Sequence, residues 1–222
     1  MPPRLQEHAR ILVIRTDRLG ETLLTLPALA GLKAARPSSH LTFLSAPALQ
    51  PLIAHAPEVD RAISYTPTGS WIARAARLAA RLRPERFDAA VIANPMKELH
   101  LAVWLAGIPI RVGYDHKWSG LLTHRVPDRK ALGDRHEVEY NQELIAALGL
   151  PITIPAWRFP SFTREWTDVA QLLERQGVGQ PFNLAAVHPW TTNPDKGLPL
   201  PFVSYGGSSL LSGLIMVGLI FG

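Results

Sequence analysis

The sequence predicts an α/β protein built on a parallel sheet, and two observations predict it. Residues 11–14 (ILVI) form a continuous apolar run closed by a polar turn and followed by a helical pattern, the signature of a strand buried on both faces. Further short apolar runs recur every few tens of residues, each followed by a helical pattern, which implies βαβ units.

Taken in order, the first helix opens at Gly20 and Glu21 and continues through residues 25–35, with Leu26, Leu29 and Leu32 at core spacing. Pro27 has no amide to give a helix interior, so a kink or restart is expected near Thr25. Residues 40–45 (HLTFLS) read as a second strand, 47–55 as a short helix and 60–65 (DRAISY) as a third strand. Residues 71–83 are strongly helical, with Arg74, Arg77 and Arg81 on one face and Pro84 as the stop. A fourth strand is expected over 87–93 (FDAAVIA), a helix over 96–106 and a short strand over 110–113. Residues 134–148 form a helix closed by Gly149, and the prolines of 151–160 (PITIPAWRFP) favour an extended linker. A helix over 163–176 then leads to 183–187 (NLAAV), read as the first strand of a second sheet.

The 222 residues suffice for one large domain, or one domain and part of another, and an apolar content of 47% is enough for a core. Twenty-three basic against 18 acidic side chains leave a net charge of +5, which favours an anionic partner: a phosphorylated glycolipid, a nucleotide or a membrane surface. The absence of cysteine excludes disulfides and thiolate metal sites. The opening MPPRLQEHAR lacks the apolar core of a signal peptide, so a cytoplasmic location is expected.

In parallel sheets ligands sit beyond the carboxyl ends of the strands, where Glu21 would stand at the rim. Glu21 could equally offset the helix macrodipole. Asp17 and Arg18, in the same turn, either orient Glu21 and contact a ligand or form an exposed pair of little consequence. The turn lacks G-x-G-x-x-G, so a dinucleotide-binding oxidoreductase is poorly supported. Residues 111–136 concentrate Arg111, His116, Lys117, His124, Arg125, Arg129, Lys130, Arg135 and His136, with Tyr114 and Trp118 interleaved. Cations beside aromatic rings suit a phosphorylated sugar; a solvated basic loop is the plainer reading. No nucleic-acid motif is present, and His116, His124 and His136 lack a tight metal-ligand spacing, so neither RNA nor a metal is expected. Residues 187–199 (VHPWTTNPDKGLP) read, as bare sequence, as a good turn.

The string RTDRLGETLLTLPAL, residues 15–29, resembles the opening of the ADP-heptose:lipopolysaccharide heptosyltransferases of glycosyltransferase family nine. The likeness extends from about residue 10 to about residue 198, through GYDHKW, HEVEY and HPWTTNPDKGLP. It implies a GT-B architecture of two facing Rossmann-like halves: an acceptor domain over 1–150, a linker and connecting helix over 151–182, and the start of a nucleotide-sugar domain over 183–198. It also implies inverting transfer of heptose from ADP-heptose to the Kdo and lipid A part of a lipopolysaccharide core, with no cofactor and no metal. Such a transfer needs a carboxylate within hydrogen-bond reach of the acceptor hydroxyl. Glu21 matches the family's catalytic aspartate with one more methylene, and a displacement of ~1 Å can cost ~100-fold in rate. By the same resemblance Asp17, Arg18, Arg111, Tyr114, Lys117 and His136 contact the acceptor. His188, Thr191, Thr192 and Lys196 hold the nucleotide sugar, Lys196 stabilising charge on the departing ADP. Trp190 and Leu198 depart from the glycine and tryptophan of that block.

From Gly197 onward the chain carries no charge, and GLPLPFVSYGGSS resembles the end of the FtsW/RodA peptidoglycan glycosyltransferases. After Gly207 about 15 residues would give roughly 22 Å of helix, short of the ~30 Å bilayer core. The expectation is a chimeric or truncated chain: a donor domain that stops after one strand, weak or absent turnover, and an apolar tail over 199–222. The chain would lie at the inner face of the cytoplasmic membrane, with the tail a candidate for insertion. Two alternatives stand beside this one, a non-catalytic acceptor- or membrane-binding module and a membrane protein of peptidoglycan synthesis.

Overall fold

The computed structural model describes residues 3, 5–157 and 162–175. The strand expected over 183–187, the loop over 188–196 and the apolar tail lie outside the described residues. The chain divides into two compact units, residues 1–159 and 160–222. In the second, the described element is α7 (Thr163–Arg175).

The first unit is a six-stranded sheet in which every neighbouring pair is parallel. Its strands are β1 (Arg10–Ile14), β2 (His40–Ser45), β3 (Arg61–Ser64), β4 (Ala89–Ile92), β5 (Ile110–Tyr114) and β6 (His124–Val126), in the order β3-β2-β1-β4-β5-β6. The chain starts at the centre, winds outward to β3, returns to β4 and winds outward the other way. Between β1 and β4 the winding reverses, and the connections after these strands leave a crevice at their carboxyl ends.

Among the described residues, α1 (Leu19–Leu23), α2 (Leu26–Ala35), α3 (Gln50–Ala54), α4 (Trp71–Leu82) and α5 (Lys97–Leu105) lie in the connections between strands, and α6 (Glu137–Ala146) follows β6. Side chains alternate across the sheet. Leu12 and Ile14 of β1 join Ala90 and Ile92 of β4 in a core with Leu78 and Leu82 of α4 and Leu99 and Val103 of α5. Ile11 and Val13 point the other way, to the side where α2 and α6 pack together, and are also buried. This double burial is why the strands read as unbroken apolar runs. Glu98, buried on α5, meets Arg74 of α4 at 2.8 Å and ties these two helices together.

The restart expected near Thr25 is present: α1 ends at Leu23, α2 begins at Leu26, and Thr25 Oγ1 donates to the Glu21 carbonyl at 2.9 Å. The segment expected as a helix over 47–55 is a 3-10 turn followed by the single turn of α3. The helix expected from residue 134 starts at Glu137, because Gly133 turns left-handed (φ 62°) and His136 caps the helix. Residues 151–157 belong to the first unit and are tied to its other elements by side chains. Gln142 Nε2 donates to the Ile152 carbonyl at 2.6 Å and Trp157 Nε1 to Glu58 Oε1 at 3.2 Å. Among the described residues no helix is long and apolar enough to cross a membrane.

Candidate functional site

The crevice between β1 and β4 is closed at its base by a pair of side chains. Asn94, buried just after β4, accepts the Thr16 amide at 3.3 Å and donates to Thr16 Oγ1 at 2.9 Å. The two loops that leave the central strands are thus held in one register.

Above this pair sits Arg15, the first residue beyond β1, with only 3% of its side chain exposed. A guanidinium so deep must be ion-paired on every side to be tolerated. Its Nε donates to Asp17 Oδ1 at 2.8 Å and its Nη2 to Glu21 Oε2 at 2.5 Å. Its Nη1 faces Glu137 Oε1 at 3.3 Å and Asn141 Oδ1 at 3.2 Å, both on α6. Lys130 completes the cluster, 2.5 Å from Glu137 and 4.9 Å above the Tyr114 ring. The capping box of α6 explains the placement of Glu137: His136 Nδ1 accepts the Val138 amide and Glu139 accepts the His136 amide, so Glu137 is fixed in the first turn.

Glu21 keeps about a third of its side chain exposed (34%) and so borders solvent. Burial and the neighbouring Glu137 carboxylate push its pKa above the ordinary glutamate value, and together they outweigh the opposing pull of Arg15. Burial works against the charge on Arg15, but Asp17, Glu21 and Glu137 more than compensate and its pKa is raised. The Tyr114 phenol, buried and near Glu137, is also held well above its usual range. The helix after β1 contributes little as an anion seat, since α1 has five residues. The chemistry of the crevice rests on side chains.

Beside the cluster, at the carboxyl ends of β4 and β5, lies a cavity of about 440 Å³ lined by Pro95, Lys97, His116, Lys117 and Trp118. Trp118 adopts φ 76°, a left-handed conformation that costs a bulky residue roughly 1–3 kcal/mol. Its ring packs at 5.3 Å on Trp71, and Lys97 Nζ lies 4.7 Å over the Trp71 ring. His116 Nε2 is hydrogen-bonded to Asp128, whose pKa is lowered because the Lys130 amide and His116 outweigh the effect of burial. Ammonium groups beside half-exposed indoles can hold an anion and a pyranose face together.

The site residues expected from sequence fall into separate groups. Glu21 and Asp17 meet on Arg15. Arg18 is exposed at the start of α1, and Lys117 lines the cavity. Tyr114 is buried, its hydroxyl donating to the Tyr140 carbonyl at 3.3 Å, so it forms a wall beneath Lys130. His136 serves as a helix cap on the exposed surface. The structure does not bring Arg111 to the crevice. It stands near the amino end of β5, where Nε and Nη1 donate to the carbonyls of Leu121 at 2.7 Å and Ile108 at 2.5 Å. His188, Thr191, Thr192 and Lys196 lie outside the described residues. Arg15, Asn94, Glu137 and Asn141 were not among the residues expected from sequence. The available signals were an arginine directly after a buried strand and a carboxylate directly after the cap of α6.

Comparison with known proteins places this geometry in context. The chain is 26% identical over 175 residues to a Haemophilus influenzae protein named as a glycosyltransferase, an overlap of 77% of this chain and 50% of that one. A Veillonella parvula glycosyl transferase of family 9 superposes with a TM-score of 0.70 at 21% identity, over 84% of this chain and 57% of that chain. Escherichia coli ADP-heptose lipopolysaccharide heptosyltransferase II gives 0.60 at 23% identity, over 77% and 51%. E. coli heptosyltransferase WaaC, solved with ADP-2-deoxy-2-fluoro heptose, gives 0.55 at 20% identity, over 72% and 54%. The fold is therefore that of the family-nine glycosyltransferases, and the chain spans about half the length of the proteins it matches. Residues 183–222 match the cell cycle protein family of FtsW, RodA and SpoVE. A stretch of 27 residues is 74% identical to an FtsW of Alcanivorax borkumensis, 7% of that protein.

Proposed function

We propose that this chain is a glycosyltransferase that moves heptose from ADP-heptose onto an anionic lipopolysaccharide-core acceptor. The observation that carries the reading is Glu21, a solvent-bordering carboxylate at the switch point of the sheet with its pKa pushed upward. A base poised closer to neutrality is better matched to taking a proton from a hydroxyl. In the step so assigned, the acceptor oxygen forms a bond to the anomeric carbon as the bond to ADP breaks. The hydroxyl proton passes to Glu21, and the electron pair of the broken bond leaves with the diphosphate. Arg15 holds the carboxylate in place from behind. The cavity of Lys97, Lys117 and Trp118 receives the anionic part of the acceptor, as its charge and ring surface favour. ADP-heptose enters the reading through the likeness to heptosyltransferases, and so does a position at the inner face of the cytoplasmic membrane.

The experiment is single-turnover transfer from radiolabelled ADP-heptose, with the full chain in excess over a Kdo-lipid A acceptor, for wild type and Glu21→Gln. Transfer by wild type that falls at least ~100-fold in the variant supports the assignment. Equal rates refute the role of Glu21.

A second reading, a non-catalytic acceptor-binding module, is favoured by the engagement of Glu21 with Arg15 at 2.5 Å. Titration with ADP-heptose separates the two, because only the transferase requires donor affinity. The FtsW likeness is confined to residues 183–222 and supplies no reading for the first unit.

A further inference from the structure

Away from the crevice, α4 and α5 lie side by side from end to end. At one end Lys97 Nζ sits 4.7 Å over the Trp71 ring and Arg74 meets Glu98 at 2.8 Å. At the other, Arg83 Nη2 donates to the Leu105 carbonyl at 3.3 Å. Both helices pack on the sheet through one core, so their remaining faces point outward together. The outward stripe of α4 is Ile72, Ala76 and Ala80, continued by Arg83 just past its end; that of α5 is Lys97, half-buried Leu101, Trp104 and Leu105. Ile72 is 57% exposed and Trp104 48%, and Leu105 is exposed beside it. Single exposed apolar residues are ordinary, but a line of them rimmed by charge of one sign marks a binding face.

The rim here is positive. Residues 71–82 hold no acid, and the acid of α5, Glu98, is buried and spent on Arg74. Arg77, Arg81 and Arg83 are exposed, and the groups they bond are neutral: Thr68 for Arg77, the Ser64 carbonyl at 2.7 Å for Arg81 and the Leu105 carbonyl for Arg83. Glu85, the next acid along the chain after α4, is held by Arg10 and Arg61 at 3.1 and 2.8 Å. Among the described residues no carboxylate contacts Arg77, Arg81, Arg83 or Lys97, and their charge faces outward uncompensated.

We propose that this face docks the chain on an anionic lipid surface, with Ile72, Trp104 and Leu105 entering the boundary between headgroups and acyl chains while Arg77, Arg81, Arg83 and Lys97 meet lipid phosphates. Aliphatic side chains and an indole beside long cationic stems suit that boundary, where the stems lie along apolar surface and the charges reach the headgroups. Ala76 and Ala80 let the helix come close. A nucleic acid would use the cations and leave the aliphatic stripe in water. Docking of this kind is peripheral and places the contact on the first unit, independent of the apolar tail. Lys97 also lines the cavity, so the docked face opens onto it and a lipid-borne acceptor reaches the crevice from the membrane. That last step rests on the reading of the chain as a transferase; the docking does not.

The chain has no cysteine, so one introduced cysteine carries one polarity-sensitive fluorophore in the full chain. Ala76→Cys places it in the middle of the α4 stripe, and Ala34→Cys places it on exposed α2, on the other side of the sheet. Both labelled chains are titrated with vesicles of phosphatidylglycerol and phosphatidylethanolamine, with phosphatidylcholine vesicles and with polyuridylate. The Ala76 label is expected to move into an apolar environment with the anionic vesicles alone, and to return to water as salt is raised. The Ala34 label should stay in water throughout. Adding Arg81→Gln and Arg83→Gln should raise the lipid concentration that half-shifts the Ala76 label by roughly 25-fold. An Ala76 label that stays in water while the chain sediments with vesicles would assign membrane contact to the tail and overturn the proposal. So would an equal shift of the Ala34 label, an equal response to phosphatidylcholine, or a response to polyuridylate in place of vesicles. None of these readouts requires sugar transfer: docking without transfer counts against the transferase and leaves the surface standing, and transfer with the Ala76 label in water does the reverse.

Discussion

Glu21 and Glu137 occupy the two ends of one buried guanidinium: Arg15 Nη2 meets Glu21 Oε2 at 2.5 Å and Nη1 meets Glu137 Oε1 at 3.3 Å. Residues 116 positions apart in the chain are thereby held on either side of a single charge, and the first turn after β1 is fastened to the start of α6.

Loss of that charge should be costly. Arg15→Ala leaves three carboxylates facing one lysine, and removing one partner of a buried pair costs about 3–5 kcal/mol. Because Asp17 and Glu21 are about a third exposed, the expectation is about 3 kcal/mol, the lower end of that range, read from urea unfolding. Arg15→Lys should recover only part, since an ammonium cannot span the separate acceptors that the planar fork reaches.

Glu58 gives a pH signature with a definite sign. It is buried, accepts from Trp157, and burial raises its pKa above the ordinary glutamate value. Between the unfolded and the raised folded pKa the native state binds more protons, so stability falls as pH rises through that window. Glu58→Gln keeps an oxygen to accept from Trp157 and removes the ionisation. The variant should gain stability relative to wild type at neutral pH, and the gain should vanish below the ordinary glutamate pKa. Urea midpoints measured across pH 4 to 7 check it; a pH-independent difference would contradict the sign.

Gly31 of α2 is required by contact. A Cβ there would meet Ile152 Cγ2 at 2.8 Å and the Thr153 carbonyl oxygen at 2.9 Å. Alanine gains about 1 kcal/mol of helix propensity, but overpacking costs about 1–3 kcal/mol and a backbone oxygen yields poorly. Gly31→Ala should be net destabilising by about 1 kcal/mol, seen as a lower melting temperature.

Lys117 tests the cavity. A hydrogen bond to a charged group is worth about 1.5–3 kcal/mol, roughly 10- to 100-fold in affinity. Lys117→Ala should raise the KM for an anionic acceptor by that factor with kcat little changed. A fall in kcat at constant KM would place Lys117 elsewhere in the reaction.

Strands covered on both faces were legible because unbroken apolar runs announce them; the six residues of β2 read from sequence with the same bounds as in the structure. The restart at Thr25 was legible from Pro27 alone. β6 was not, since His124–Val126 is a three-residue edge strand of a histidine, an arginine and a valine, formed by pairing with β5. Of the site, Glu21 and Asp17 were visible beside the first strand. The burial of Arg15 was not, because it depends on α6, more than a hundred residues downstream. The basic zone was legible as charge but not as place: Arg111 and Lys117 sit at opposite ends of the region around β5, one committed to carbonyls and the other to an open cavity.

The most direct measurement of the central claim is the pH dependence of single-turnover heptose transfer by the full chain, with Glu21→Gln beside it. The account predicts transfer whose rate rises with pH as Glu21 ionises, above the ordinary glutamate range, and a loss of at least ~100-fold in the variant. Transfer that is absent in wild type, or that proceeds unchanged without the Glu21 carboxylate, would contradict it.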